Sequence, residues 1–166
     1  MDKLVSLDPN YSRRVWPDHK EARRVIREAY RYVDVTKPSA DDARRIFGPG
    51  YEPEQYIETF HDLGARTVVF TMGEEGNLIS ENGHVTAHVP ARPVEAEDAT
   101  GAGDAFWAGF LIALLDGEPP EPCTYFAREV AEMKLTRTGP MPNEIDQGEI
   151  YARLETTDTD KPPERN

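Results

Sequence analysis

An uninterrupted apolar run, Thr67-Val68-Val69-Phe70-Thr71, lies near the middle of this chain of 166 residues. Its side chains do not alternate between apolar and polar, which is typical of a central parallel strand that is covered on both faces. Two further strands are predicted before it, at Leu4–Leu7 and Tyr32–Thr36. A hairpin is predicted after it, because Asn82-Gly83 is a strong signal for a tight type I′ turn.

Helices are predicted between the strands and through the last third of the chain. They start at the capping residues Asp18 and Ser39, cover Tyr56–Leu63 and Gly101–Leu115, and occupy Thr124–Leu135 and Glu144–Leu154, while Pro119–Pro122 is predicted to be a loop. Alternating strands and helices indicate an α/β fold, a three-layer α/β/α sandwich with a mainly parallel sheet. We expect one domain over residues 1–154 and a disordered tail over 155–166, which has no large apolar side chain.

The charge of the chain excludes several classes of function. It has 31 acidic and 19 basic residues, a formal net charge of -12. Such a balance repels the phosphates of nucleic acids and anionic membrane surfaces. A single cysteine excludes an internal disulfide framework and a multi-thiolate metal site. We therefore expect a cytoplasmic protein that binds neither nucleic acid nor membrane.

The segment with the clearest chemical meaning is Asp98-Ala99-Thr100-Gly101-Ala102-Gly103-Asp104-Ala105-Phe106. Small residues at the start of a helix leave backbone N–H groups uncovered, and the helix dipole favours an anion there. Asp104 in the first turn would lie beside a bound phosphate, where a carboxylate can accept a proton from an attacking hydroxyl. On these residues alone, a glycine-rich helix start with Asp104 favouring the dipole explains the segment equally well.

The same segment closely resembles the C-terminal signature of the ribokinase-like (PfkB) carbohydrate kinase family, Asp-Thr-x-Gly-Ala-Gly-Asp-x-Phe, with Ala99 in place of the threonine. The resemblance implies that the backbone of Gly101, Ala102 and Gly103 is the anion hole for the transferred phosphate. It implies that Asp104 is the catalytic base. It also implies that Asp98 and Thr100 lie near a site for a monovalent cation such as K+.

Other segments resemble the family in the expected order. Thr71-Met72-Gly73-Glu74-Glu75-Gly76 is similar to its Thr-x-Gly-x-x-Gly turn, which implies that Thr71, Gly73 and Gly76 contact a nucleotide. An ordinary turn from strand to hairpin explains these residues as well. Phe126-Ala127 and Thr136-Arg137-Thr138-Gly139 resemble the wall of the family's adenine pocket.

One motif departs from the family. Its Lys-x-Asn-x-x-Glu is matched by Lys37-Pro38-Ser39-Ala40-Asp41-Asp42. The resemblance implies that Lys37 and Ser39 bind nucleotide and that Asp42 assists Mg2+ through water. Ser39 and Asp42 are equally well explained as a helix-capping pair.

The resemblance covers Leu4 to Leu154 but only the C-terminal half of the family, without the half that supplies the sugar pocket and the lid. It implies an ATP-dependent phosphotransferase that uses Mg2+ and phosphorylates a hydroxyl of a sugar or related small alcohol. The alternative is a non-catalytic half-domain that retains nucleotide or partner binding. Because an open sheet edge invites pairing, the expected partner is a second copy or a missing N-terminal half.

Overall fold

The computed structural model describes residues 3–142 and 144–156. They form two compact units, which divide between Pro93 and Val94. Unit 1 contains a five-stranded sheet with its helices, and unit 2 is helical in its described residues. No helix among the described residues has the length and apolar character that crossing a membrane requires.

The sheet of unit 1 has the strand order β1-β2-β3-β4-β5. Its strands are β1 (Ser6–Leu7), β2 (Val35–Thr36), β3 (Thr67–Thr71), β4 (Asn77–Glu81) and β5 (His84–Val89). The first three strands are parallel neighbours, which confirms their predicted arrangement. β4 and β5 form the predicted hairpin and add two antiparallel pairings, so the five-stranded sheet is mixed, with three parallel strands. The hairpin turns at Asn82-Gly83, where both residues have the positive φ of a type I′ turn, 51° and 86°.

Three helices belong to unit 1: α1 (His19–Tyr30), α2 (Ala40–Phe47) and α3 (Pro53–Leu63). The Asp18 carboxylate accepts hydrogen bonds from the backbone N–H groups of residues 20 and 21 and thereby starts α1. Tyr30, Phe60 and Phe70 are fully buried, and the rings of Tyr30 and Phe60 lie 5.3 Å apart. The core of unit 1 therefore lies where these helices meet the sheet.

Unit 2 contains α4 (Ala102–Leu115), α5 (Pro120–Leu135) and α6 (Gln147–Thr156). The predicted loop at Pro119–Pro122 is wrong for most of its length, because α5 already begins at Pro120. Proline is compatible with the first turn of a helix, where an N–H would have no partner. Of the predicted tail, residues 155 and 156 are helical, and the rest lies outside the described residues.

Helices α4 and α5 approach each other closely at Gly109. A Cβ atom at this position would lie 2.9 Å from Val130 Cγ2 and 3.1 Å from Ala127 Cα. The absence of a side chain at Gly109 therefore determines how closely the two helices pack.

We expect Gly109→Ala to lower the free energy of unfolding by about 1–2 kcal/mol. The overpacking cost of about 1–3 kcal/mol exceeds the gain in helix propensity of about 1 kcal/mol. Thermal or urea unfolding monitored by circular dichroism measures the change. Gly148→Ala in α6, where the new methyl would lie 3.2 Å from the flexible Asp146 side chain, is the matched control and should raise the free energy of unfolding by up to about 1 kcal/mol. Equal effects of the two substitutions would contradict the packing argument.

Candidate functional site

The glycine-rich turn of unit 2 precedes the buried helix α4. Gly101 is the N-cap residue and has the left-handed conformation, φ 81° and ψ 3°, which glycine adopts without strain. It supplies no side-chain cap, and the Ala102 N–H donates to the Ala99 carbonyl at 3.2 Å. Asp104 lies in this first turn with an exposed side chain. The turn therefore combines backbone donors, the positive end of a helix dipole and an accessible carboxylate.

The loop before this turn is fixed by Asp98. Its Oδ1 atom accepts a hydrogen bond of 2.9 Å from the backbone N–H of Thr100. This bond, with a smaller contribution from the Lys134 ammonium, lowers the pKa of Asp98 below its ordinary value. Lys134 Nζ lies 3.5 Å from Asp98 Oδ2 and donates to the backbone carbonyl of Asp98 at 3.4 Å. A lysine of α5 thus reaches the predicted cation-site residues.

At the start of α2, Ser39 and Asp42 form a complete capping box. Ser39 Oγ accepts from the Asp42 N–H at 3.0 Å, while Asp42 Oδ2 accepts from the N–H and the hydroxyl of Ser39 at 3.2 and 2.6 Å. Asp42 Oδ1 accepts from the Tyr11 N–H at 2.9 Å. Asp42 is buried, and both of its oxygens are used within unit 1. The capping interpretation of this pair is confirmed.

Lys37 is buried beside the same region and pairs with an acid. Its ammonium lies 2.9 Å from Asp8 Oδ2, and only 6% of its side chain is exposed. Asp8 follows β1 and Lys37 follows β2, so the pair joins the carboxyl ends of two parallel strands. Removing one partner would leave an uncompensated buried charge, a change that costs about 3–5 kcal/mol.

A cavity of about 490 Å³ opens beside the first turn of α2. Ser39 and Thr71 line it and form an isolated parallel bridge. The full lining comprises Ser39, Ala40, Asp41, Arg44, Pro53, Thr71, Met72, Gly73 and Glu75. Of the five residues predicted to bind nucleotide in unit 1, the cavity thus collects Ser39, Thr71 and Gly73. It does not include Lys37 or Gly76.

Gly76 closes the turn that follows β3. Its φ is 89°, and its N–H bonds the carbonyl of Gly73 while its own carbonyl accepts from Met72 at 2.9 Å. A Cβ atom here would clash with the Val89 carbonyl and lie 2.8 Å from the backbone at Ala91. Gly73 also has a positive φ, 63°, but faces open space. The turn therefore requires glycine at position 76 for steric as well as conformational reasons.

Several other polar residues have structural roles. His61 bonds the carbonyl of Ala65 and the hydroxyl of Ser80, each at 2.8 Å. Cys123 is buried, and burial raises the pKa of its thiol to about 12, so it is a poor nucleophile. Phe126 and Ala127, which resemble the wall of the family's adenine pocket, are fully buried. The described residues contain no cluster of three acids, histidines or cysteines that could hold a metal ion.

Sequence reasoning missed Lys134. The signal was present, because Lys134 lies four and seven positions after Val130 and Ala127, two buried residues of α5, and so belongs to the same helix face. A lysine at such a position has to find a partner for its charge, and the sequence does not identify Asp98 as that partner.

Comparisons with known proteins agree with these motifs. The family model "pfkB family carbohydrate kinase" matches residues 2–146. An ATP-dependent 6-phosphofructokinase of Thermoanaerobacterium thermosaccharolyticum is 40% identical over 138 residues, which are 83% of this chain and 42% of that protein. The chain spans less than half the length of the curated relatives it matches.

Solved structures show the same fold. A fructokinase of Vibrio cholerae with bound fructose, ADP and potassium ion has 27% identity and a TM-score of 0.77, over 90% of this chain and 49% of that one. An aminoimidazole riboside kinase of Salmonella enterica, complexed with its riboside and an ATP analog, has 25% identity and a TM-score of 0.78, over 91% and 52%. The fold is therefore the α/β fold of the ribokinase-like kinases.

We expect Gly76→Ala to lower the free energy of unfolding by about 2–4 kcal/mol, since backbone strain adds to a clash with the strand beside it. Gly73→Ala is the matched control and should cost about 1 kcal/mol, because only the positive φ opposes it. Urea unfolding of the two variants measures the difference. Equal losses would show that the close approach at Gly76 is unimportant.

Proposed function

The chain belongs to the pfkB family of carbohydrate kinases, and from that membership we propose that it carries the phosphoryl-transfer half of an ATP-dependent kinase. The acceptor is a hydroxyl of a sugar or a related small alcohol. The observation that carries the proposal is the turn before α4, with a left-handed glycine, no side-chain cap and an exposed carboxylate in the first helical turn.

In this proposal the turn holds the phosphoryl group that is transferred. The backbone of Gly101, Ala102 and Gly103 leaves room for a phosphate to approach the N–H groups closely. Charge builds up on the phosphoryl oxygens during transfer, and fixed backbone donors stabilise it without having to reorganise. Substitution of a bulky residue into the turn should therefore affect nucleotide binding directly.

Asp104 acts as the base. The acceptor hydroxyl gives its proton to the Asp104 carboxylate as its oxygen bonds to the terminal phosphorus of ATP, and the bond to the leaving ADP oxygen breaks. The Asp104 side chain is exposed, so its carboxylate is accessible to a substrate hydroxyl. A carboxylate in this role contributes about 10²–10⁴ in rate.

Unit 1 contributes a nucleotide-binding cavity lined by Ser39, Thr71 and Gly73, whose volume is within the range of ligand sites. Lys37 and Gly76 support it indirectly, through the Asp8 ion pair and the turn after β3. Mg2+ bound with ATP would neutralise phosphate charge. Asp42, whose two oxygens accept hydrogen bonds from the Tyr11 N–H and from Ser39, would contact it through water.

We expect Asp104→Asn to lower turnover by about 10²–10⁴ and to leave ATP affinity nearly unchanged, because the amide keeps the shape but is not a base. The assay uses this chain co-expressed with the N-terminal half of the Thermoanaerobacterium relative, since the family's sugar pocket lies in that half. Coupled detection of ADP with fructose 6-phosphate and a panel of other sugars gives the rate.

Asp62→Asn, an exposed acid on α3, is the matched control and should retain full turnover. A reconstituted enzyme that is indifferent to Asp104→Asn would refute the assignment of the base. ATP binding without turnover by any assembly would favour the non-catalytic half-domain. Robust sugar phosphorylation by the 166-residue chain alone would contradict the need for a second half, because no pocket would then be required to orient the sugar.

We expect Gly103→Val to weaken ATP binding at least tenfold in isothermal titration calorimetry with Mg2+ present. The branched side chain would occupy the space through which a phosphate approaches the turn. Ala108→Val adds similar bulk at an exposed position of the same helix and should bind ATP like the unsubstituted chain. Equal affinity of the two variants would exclude the turn as the phosphate site.

A further inference from the structure

Lys134 is a buried lysine whose ammonium lies under the loop before α4. Only 9% of its side chain is exposed. A buried ammonium is costly unless an opposite charge and hydrogen-bond acceptors surround it. Among the described residues Asp98 supplies both, because Nζ lies 3.4 Å from the Asp98 carbonyl oxygen and 3.5 Å from Asp98 Oδ2.

The lysine stem also passes close to the turn itself. Lys134 Cε lies 3.7 Å from the place where a Cβ atom of Gly101 would be. The remaining carboxylate oxygen of Asp98 accepts from the Thr100 N–H. Two contacts thus hold the loop from residue 98 to residue 101. One is the Lys134 side chain of α5, and the other is the Asx turn that Asp98 forms with the Thr100 N–H.

This arrangement does not fit a bound monovalent cation at Asp98. Such an ion would be held by carbonyl and carboxylate oxygens, and the Asp98 carbonyl oxygen and Oδ2 already lie 3.4 and 3.5 Å from the Lys134 ammonium. The ammonium carries the same single charge as K+ and is attached covalently to the chain. A K+ ion at the site expected from Asp98 and Thr100 would therefore compete with Lys134 for these two oxygens.

We propose that the Lys134 ammonium is a built-in cation that neutralises Asp98 and positions the loop before α4, in place of a bound potassium ion. It acts as a positioning residue for the turn. The inference does not depend on the proposed kinase activity, because it concerns the stability of this loop with no nucleotide present. It implies that the chain is insensitive to the identity of the monovalent cation in the buffer.

The test measures the midpoint of thermal unfolding of the 166-residue chain in KCl, NaCl and tetramethylammonium chloride at equal ionic strength. The unsubstituted chain should give the same midpoint in all three salts. Lys134→Met removes only the terminal Nζ group and leaves most of the stem. It should unfold at a lower temperature in tetramethylammonium, and KCl should raise its midpoint by about 5 °C or more relative to that salt.

Lys134→Arg keeps the charge and should remain insensitive to the cation. Lys37→Met is the matched control, since it breaks another buried lysine–aspartate pair, and it should be destabilised equally in all three salts. Hydrogen exchange of the amides of residues 98–106 should depend on the salt and on the substitution in the same way. That result would localise the change in stability to this loop.

Three results would overturn the proposal: selective stabilisation of the unsubstituted chain by K+, the same K+ response in Lys134→Met and Lys37→Met, or a Lys134→Met chain that KCl does not restore. A Lys134→Met chain that stays unfolded in every salt would also overturn the proposal, because K+ then fails to replace the ammonium.

Discussion

A charge that leaves water must meet an opposite charge or a full set of hydrogen bonds, and this constraint fixes the loops that carry the candidate chemistry. In unit 1 the Lys37–Asp8 pair joins two strand ends, and the Asp42 carboxylate ties the Tyr11 backbone to the start of α2. In unit 2 Lys134 does the same for the loop at Asp98. In each unit, a buried charged side chain therefore holds the loop that carries the candidate residues.

The parts of the fold that follow from local chemistry could be predicted from the sequence. Val68–Phe70 indicated a covered parallel strand, and Asn82-Gly83 indicated the hairpin turn, because both signals depend on neighbouring residues only. Ser39 with Asp42 indicated a helix cap for the same reason. The glycine at 101 could be singled out from its place before an apolar helix, although its left-handed conformation could not.

The long-range pairings could not be predicted in this way. Asp98 and Lys134 are 36 positions apart, and helical periodicity shows that Lys134 shares a face with buried residues without showing what it meets there. The cation expected at Asp98 came from a family resemblance that matches the loop and carries no information about the position of Lys134. A similar limit applies to Phe126, whose resemblance to a pocket wall gave no indication that its ring packs against Tyr151.

The departure of Ser39 and Asp42 from the family motif has a consequence for the binding of a divalent ion. The short serine and aspartate side chains hydrogen-bond each other and the Tyr11 amide, so they stabilise the start of the helix and each Asp42 oxygen already accepts a hydrogen bond. A divalent ion near α2 would then be held by the phosphates of its nucleotide and by water, with the chain contributing only through water. The affinity of such an ion would depend on the nucleotide more than on this chain.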